Sequence, residues 1–189
     1  YKKDTGFQLF QSTIQELKKQ NSERHPRFII LLGDFLSHNF KETYIKYTGD
    51  TSDAGLQSFV SKTFEFTVSE LQQAFSNPDV FPVVGNNDAY VDYVSDPIFY
   101  KKTAPIFSRL IKNKYTQLEM QKEFSYSGYY AVDVPAQRNL RLIVLNTTLF
   151  SVNAPDNSTA AQTELAWLHQ ELRHLAVKHQ KALIAMHIP

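Results

Sequence analysis

Short apolar runs that stop abruptly at a polar residue are what most restrict the folds open to this chain. Phe28-Ile29-Ile30-Leu31-Leu32 stops at Gly33-Asp34. Val80 to Val84 stops at Gly85-Asn86-Asn87-Asp88, Leu140 to Leu145 at Asn146, and Ala182 to Met186 at His187. Runs of about five apolar residues bounded by turn formers read as buried strands. Between them the periodicity is helical. Residues 7–20 place Phe7, Phe10, Ile14 and Leu17 on one face, and residues 55–75 place Val60, Phe64, Val68, Leu71 and Phe75. Residues 160–178 carry Leu165, Leu168, Leu172 and Leu175, a stripe read as core. Residues 97–123 also read as helical, the polar residues 40–54 as a loop, and Asn77-Pro78-Asp79 as a turn. Strands separated by helices imply an α/β fold with helices on the sheet faces. Tyr129 to Val134 and Leu140 to Leu145 flank a turn at 135–139, so a hairpin makes part of the sheet antiparallel.

The 189 residues suffice for one good core and are too few for two full domains, so a single domain spanning 1–189 is expected. With 42% hydrophobic residues, 14 Phe and 10 Tyr, the chain is a folded one. A net charge of +1 gives no case for nucleic acid or for an anionic membrane surface as partner. An anionic substrate must then be held by a local site. The absence of cysteine excludes disulfides, thiolate ligands and a cysteine nucleophile. No apolar run approaches the ~20 residues of a membrane helix. The sequence opens at Tyr1 without an initiator Met and stops at Pro189 directly after a strand-like run, so both ends are expected to be cut.

In an α/β sheet the carboxyl ends of the strands form the ligand-binding edge. If these strands are neighbours, Asp34, Asn86, Asn146 and His187 meet there. A carboxylate, an amide oxygen and an imidazole suit a divalent ion such as Zn, Mn or Fe. Each residue alone has an ordinary reading: Asp34 and Asn86-Asn87-Asp88 as turns, His187 as a satisfied core histidine, Asn146 as a hydrogen-bonding strand end. Coincidence at every strand end shifts the balance for the set, while Asn146 keeps its ordinary reading. His38 lies four residues past Asp34 in the same loop; His25, His169, His174 and His179 read as surface or helix positions.

Gly33-Asp34, Gly85-Asn86-Asn87-Asp88 and His187 resemble, in order, the GD, GN(H/N)(D/E) and H blocks of calcineurin-like metallophosphoesterases. Gly33-Asp34-Phe35-Leu36-Ser37-His38, Leu145-Asn146-Thr147, Gln162 to Leu168 and Met186-His187-Ile188-Pro189 are similar to segments of the acid sphingomyelinase-like branch. The resemblance covers about residues 28–189. It implies a four-layer α/β/β/α sandwich with mixed sheets, incomplete at both ends. It further implies two divalent metal ions, zinc foremost, with Asp34 bridging them and Asn86 and His187 ligating one. His38 would lie by the substrate phosphate or its leaving group.

Two departures matter. The family's D-x-H and H-x-H triplets occur nowhere in these residues, so this stretch alone is expected to bind metal weakly and turn over little. The family also usually carries His where this chain has Asn87, a departure shared with endopolyphosphatases. An amide donates a hydrogen bond but cannot transfer a proton.

The activity implied is metal-assisted hydrolysis of a phosphate ester or anhydride, on a small phosphorylated substrate such as a nucleotide, a polyphosphate or a phospholipid headgroup. His38 and Asn87 are the implied catalytic pair, and good leaving groups are expected to be favoured over sphingomyelin. The resemblance also implies action outside the cytosol, with weak support from N-x-S/T sequons at Asn146 and Asn157. A rival reading is a catalytically inactive relative that serves as a binding module. A nucleotide-binding α/β domain would need a glycine-rich loop after the first strand, and Gly33 stands alone there.

Overall fold

Two small sheets organise the chain, whose computed structural model describes residues 5–154 and 158–189. β1 (Phe28–Leu31) and β2 (Asp79–Pro82) pair in parallel, with Phe28 opposite Asp79 and Leu31 opposite Pro82. β3 (Tyr130–Asp133) and β4 (Leu140–Val144) form the expected hairpin, and β5 (Lys181–Ala185) adds parallel to β4, giving the order β3-β4-β5. The helices are α1 (Phe7–Arg24), α2 (Phe40–Thr48), α3 (Asp53–Ala74), α4 (Pro97–Phe107), α5 (Lys114–Ser127) and α6 (Ser158–Lys178). The class is mixed α/β with mixed sheet directions, as expected.

Local chemistry sets the helix ends. The Ser52 hydroxyl accepts from Gly55 N–H at the start of α3, and the Asp96 carboxylate accepts from Ile98 N–H before Pro97 opens α4. The Asn113 side chain caps α5, and Gly128, at φ 79°, ends it in the left-handed conformation. Residues 97–123 are thus two helices rather than one. A 3₁₀ turn at Ser108–Leu110 and the Asn113 cap interrupt them.

A line of aromatic rings joins the layers. Phe64 of α3 meets Phe107 of α4 at 5.0 Å between centroids, Phe107 meets Phe124 of α5 at 5.7 Å, and Phe124 meets Tyr130 of β3 at 6.3 Å. The buried Tyr130 hydroxyl donates to the Pro82 carbonyl at 2.9 Å and so ties the second sheet to β2. Tyr130, Val132, Leu142 and Val144 face this main core. Ala131 and Ile143 face the other way, under Leu175, Trp167 and Leu168 of α6.

Three expectations need correction. Residues 40–54 are not all loop: α2 forms there because Phe40 and Tyr44, one turn apart, both pack on Phe59, and left-handed Gly49 ends the helix. The leucine stripe of α6 is not core throughout. Leu165 is 53% and Leu172 39% exposed, because the helix turns Ala161, Glu164, Leu168 and Leu175 toward the sheet instead. β1 is only half-buried, and Leu32 just after it is 55% exposed. A groove of about 910 Å³ runs beside β1, lined by Phe7, Phe10, Leu17, Leu32 and Phe66 and by Asp34, His38 and Asn87.

Candidate functional site

The two glycines that stop β1 and β2 bring the loops after them into contact. A Cβ on Gly33 would lie 2.5 Å from the Gly85 nitrogen, and one on Gly85 would lie 2.2 Å from Asp34 Oδ1. Only glycine allows that approach. Gly33 and Asp34 are both left-handed, at φ 92° and 59°. For Asp34 this is a sparsely populated conformation that its surroundings must hold in place.

What holds it is Asp88. Its Oδ1 accepts from Phe35 N–H at 2.8 Å and Leu36 N–H at 3.0 Å, and its Oδ2 accepts from Asp34 N–H at 2.9 Å and Gly85 N–H at 2.8 Å. One buried carboxylate therefore gathers four amides from both loops. Burial pushes its carboxyl up to about 6; the bonds from Gly85, Leu36 and Phe35 oppose that rise, and the charge of Asp34 adds to it.

The orientation of the polar side chains follows from two groups that can only accept. A carboxylate oxygen accepts, so the Asn87 amide turns its NH₂ to Asp34 Oδ2 at 2.9 Å. Asn87 Oδ1 then faces Asn86 and takes its NH₂ at 3.1 Å. Asn86 Oδ1 is left pointing at His187 Nε2, 3.0 Å away. At the other end the Leu32 carbonyl fixes His187 Nδ1 as a donor at 2.5 Å. The Nε2 lone pair of a neutral His187 consequently faces Asn86 Oδ1 and also Asp34 Oδ1, at 3.5 Å. Three acceptors share one point. Two oxygens and an imidazole nitrogen arranged in this way are a donor set suited to a metal cation. A carbonyl on the far ring nitrogen is the usual way a ligating histidine is oriented.

The structure thus brings together Asp34, Asn86, Asn87 and His187. His38 lines the same groove as Asp34 and Asn87, and it lies near enough to Asp92 to influence it. Burial raises the Asp92 carboxyl, Glu42 and Asp34 add to that, and Asn39 N–H and His38 oppose it. Asn146 does not join this group. It is fully buried, its NH₂ donates to the Tyr100 hydroxyl at 2.9 Å and the Ser127 carbonyl at 2.8 Å, and its N–H donates to Glu164 at 2.7 Å. That burial also removes Asn146 as a glycan acceptor, and Asn157 lies outside the described residues. Among the described residues no three His, Cys, Asp or Glu side chains gather as a metal-holding group. The cluster's third member is the amide of Asn86. No described helix is long and apolar enough to cross a membrane.

Sequence reasoning gave no role to Asp88 or Glu164. Asp88 acts on backbone amides, a task no spacing rule marks. Glu164 was masked by its position among leucines, though a charge at i, i+4 from Leu168 was visible.

No family model matches the chain. Among curated proteins it is similar to sphingomyelinase phosphodiesterase C of Dictyostelium discoideum, 27% identical over 198 aligned residues that cover all of this chain and 39% of that protein. It is 26% identical over 190 residues to the cyclic GMP-AMP phosphodiesterase SMPDL3A of Homo sapiens, covering 98% of this chain and 38% of that protein. Sphingomyelinase phosphodiesterase D of Dictyostelium discoideum is 27% identical over 152 residues, 75% of this chain. The chain spans about two fifths of the length of the first two of these relatives.

Proposed function

Since the chain is a homologue of acid sphingomyelinase-like phosphodiesterases over 75–100% of its length, we propose that it supplies part of the active site of a metal-dependent phosphoric ester hydrolase. The observation that carries this reading is the shared focus of His187 Nε2, Asn86 Oδ1 and Asp34 Oδ1. Two oxygens and an imidazole nitrogen form a donor set suited to zinc, with manganese or iron as alternatives. Bound divalent ions supply Lewis acidity, which neutralises phosphoryl charge and acidifies a water for attack on phosphorus.

The chain's own residues do the rest. Leu32 holds the His187 ring so that Nε2 faces the cluster. Asn87 holds the Asp34 carboxylate through both its N–H, at 3.1 Å, and its NH₂. His38 lines the shared groove, and in this reading it would give a proton to the departing oxygen as the P–O bond breaks. Asn87 can only donate a hydrogen bond to such an oxygen. Good leaving groups are therefore the favoured substrates: a phosphoanhydride, a nucleotide phosphodiester or an aryl phosphodiester, before an alkyl phosphodiester such as a phospholipid headgroup. By the same family resemblance the whole protein acts outside the cytosol; finding it confined to the cytosol of its own cells would count against that.

The test uses the full-length protein. It should lose hydrolysis of an aryl phosphodiester on chelation and regain it with zinc, and Asp34→Ala or His187→Ala should abolish both activity and metal uptake. Full, chelator-resistant turnover would end the proposal. A full-length protein that takes up zinc but hydrolyses none of these substrates would instead favour the inactive, ligand-binding relative.

A further inference from the structure

Asp88 stands apart from every residue given a role so far. Its side chain is buried and spends both oxygens on backbone N–H groups. Three of those amides follow β1 and one follows β2, about fifty residues apart in sequence, and none lies in a helix or strand. Four N–H donors converging on one carboxylate is a fully satisfied arrangement, with two bonds on each oxygen. Its effect is directional. By holding Asp34 N–H from below, Asp88 fixes the left-handed backbone of Asp34, and with it the direction of the Asp34 carboxylate toward Asn87 and His187. By holding Gly85 N–H with the same oxygen, it fixes the distance between the two loops on which Asp34 and Asn86 stand.

We propose that Asp88 is a positioning residue for the metal centre: it sets Asp34 and Asn86 at ligating distance by clamping the backbone of both loops, without touching metal or substrate. The role rests on the metal reading above. It differs from a general contribution to stability because the clamped amides belong to the turns that carry the ligands. An uncharged amide cannot replace it. Asn offers one oxygen for four donors, and its NH₂ would face two N–H groups.

The test uses the full-length chain with Co²⁺ as the probe, following its d–d absorption during titration, with thermal unfolding in parallel. Three variants are compared: Asp88→Asn, Asp34→Asn, and Val80→Ala, a buried β2 position that serves as a control for lost stability. Asp88→Asn should weaken Co²⁺ affinity by about 10–100-fold, the range for residues that orient metal ligands, and should alter the d–d spectrum. Val80→Ala should lower the melting temperature and leave affinity and spectrum as in the wild type. Wild-type affinity in Asp88→Asn, or an equal loss in Val80→Ala, would overturn the positioning role. Unchanged Co²⁺ binding by Asp34→Asn would overturn the metal reading itself and the positioning role with it, a result distinct from a failure at Asp88 alone. If Asp88→Asn does not fold, amide exchange in the wild type decides. The amides of Asp34, Phe35, Leu36 and Gly85 should exchange as slowly as those of β2, and exchange at loop rates would overturn the clamp.

Discussion

Replacing Glu164 by Gln should stabilise the protein above neutral pH and do little in mild acid. Glu164 is 1% exposed on the sheet-facing side of α6. One oxygen accepts from Asn146 N–H at 2.7 Å; the other has no hydrogen-bond partner among the described residues, and neither do Asn146 Oδ1 and Thr148 Oγ1. Burial raises the carboxyl from 4.5 to about 7, with the Asn146 N–H opposing. The sign follows from linkage. The folded-state value lies above the unfolded one, so the neutral acid favours the fold below about 4.5, and that stability is lost as pH climbs to about 7. At ~1.4 kcal/mol per pH unit the full loss is about 3 kcal/mol. Gln keeps the oxygen that Asn146 needs and never ionises. Urea unfolding of the full-length wild type and Glu164→Gln at pH 5 and pH 8 reads the effect as a difference. Asp88 and Asp92 are common to both proteins and cancel. The variant should gain roughly 1–3 kcal/mol over wild type between the two pH values, allowing for relaxation around the charge. A difference that stays constant with pH would refute the argument.

Gly85→Ala should cost about 1–3 kcal/mol and remove metal uptake, since its Cβ would fall on Asp34 Oδ1 and the Asp34 nitrogen; wild-type zinc content would contradict it. Tyr130→Phe should cost about 1–3 kcal/mol in denaturant unfolding, because the buried Pro82 carbonyl loses its donor, and an unchanged midpoint would count against that bond. His38→Ala should slow sphingomyelin cleavage far more than polyphosphate or ATP cleavage, by up to the ~10²–10⁴-fold that a general acid contributes. Efficient sphingomyelin hydrolysis surviving His38→Ala would show that the proton comes from elsewhere.

The strand ends were legible because each apolar run is short and each stop is chemically abrupt: glycine before Asp34 and Asn86, a lone amide or imidazole after β4 and β5. The α6 phase was not. Four leucines outvote one glutamate and one alanine in any count of apolar periodicity, yet Ala161 and Glu164 face inward because the strand end at Asn146 presents an N–H that needs an acceptor. The same limit hid α2. Its two apolar anchors, Phe40 and Tyr44, stand among Lys, Glu and Thr, and their value comes from Phe59, which the sequence does not place beside them. Residue types announce what they can do; only the fold supplies what they do it to.

The strand-end loops show how far that distinction reaches. From sequence, Gly33 and Gly85 mark only the stops of two apolar runs. The parallel register, with Leu31 opposite Pro82, sets them against one another, close enough that neither tolerates a Cβ. That contact brings Asp34 under the Asn87 amide and leaves Asp88, three residues past Gly85, directly below the amides of the other loop. Neither residue could be exchanged with the other. An amide at 87 can donate to Asp34, as a carboxylate could not, and a carboxylate at 88 can accept four N–H groups, as an amide could not. The order Asn-Asn-Asp is therefore set by which side of a shared backbone contact each side chain meets: first the amides that face His187 and Asp34, then the buried acceptor that holds both loops.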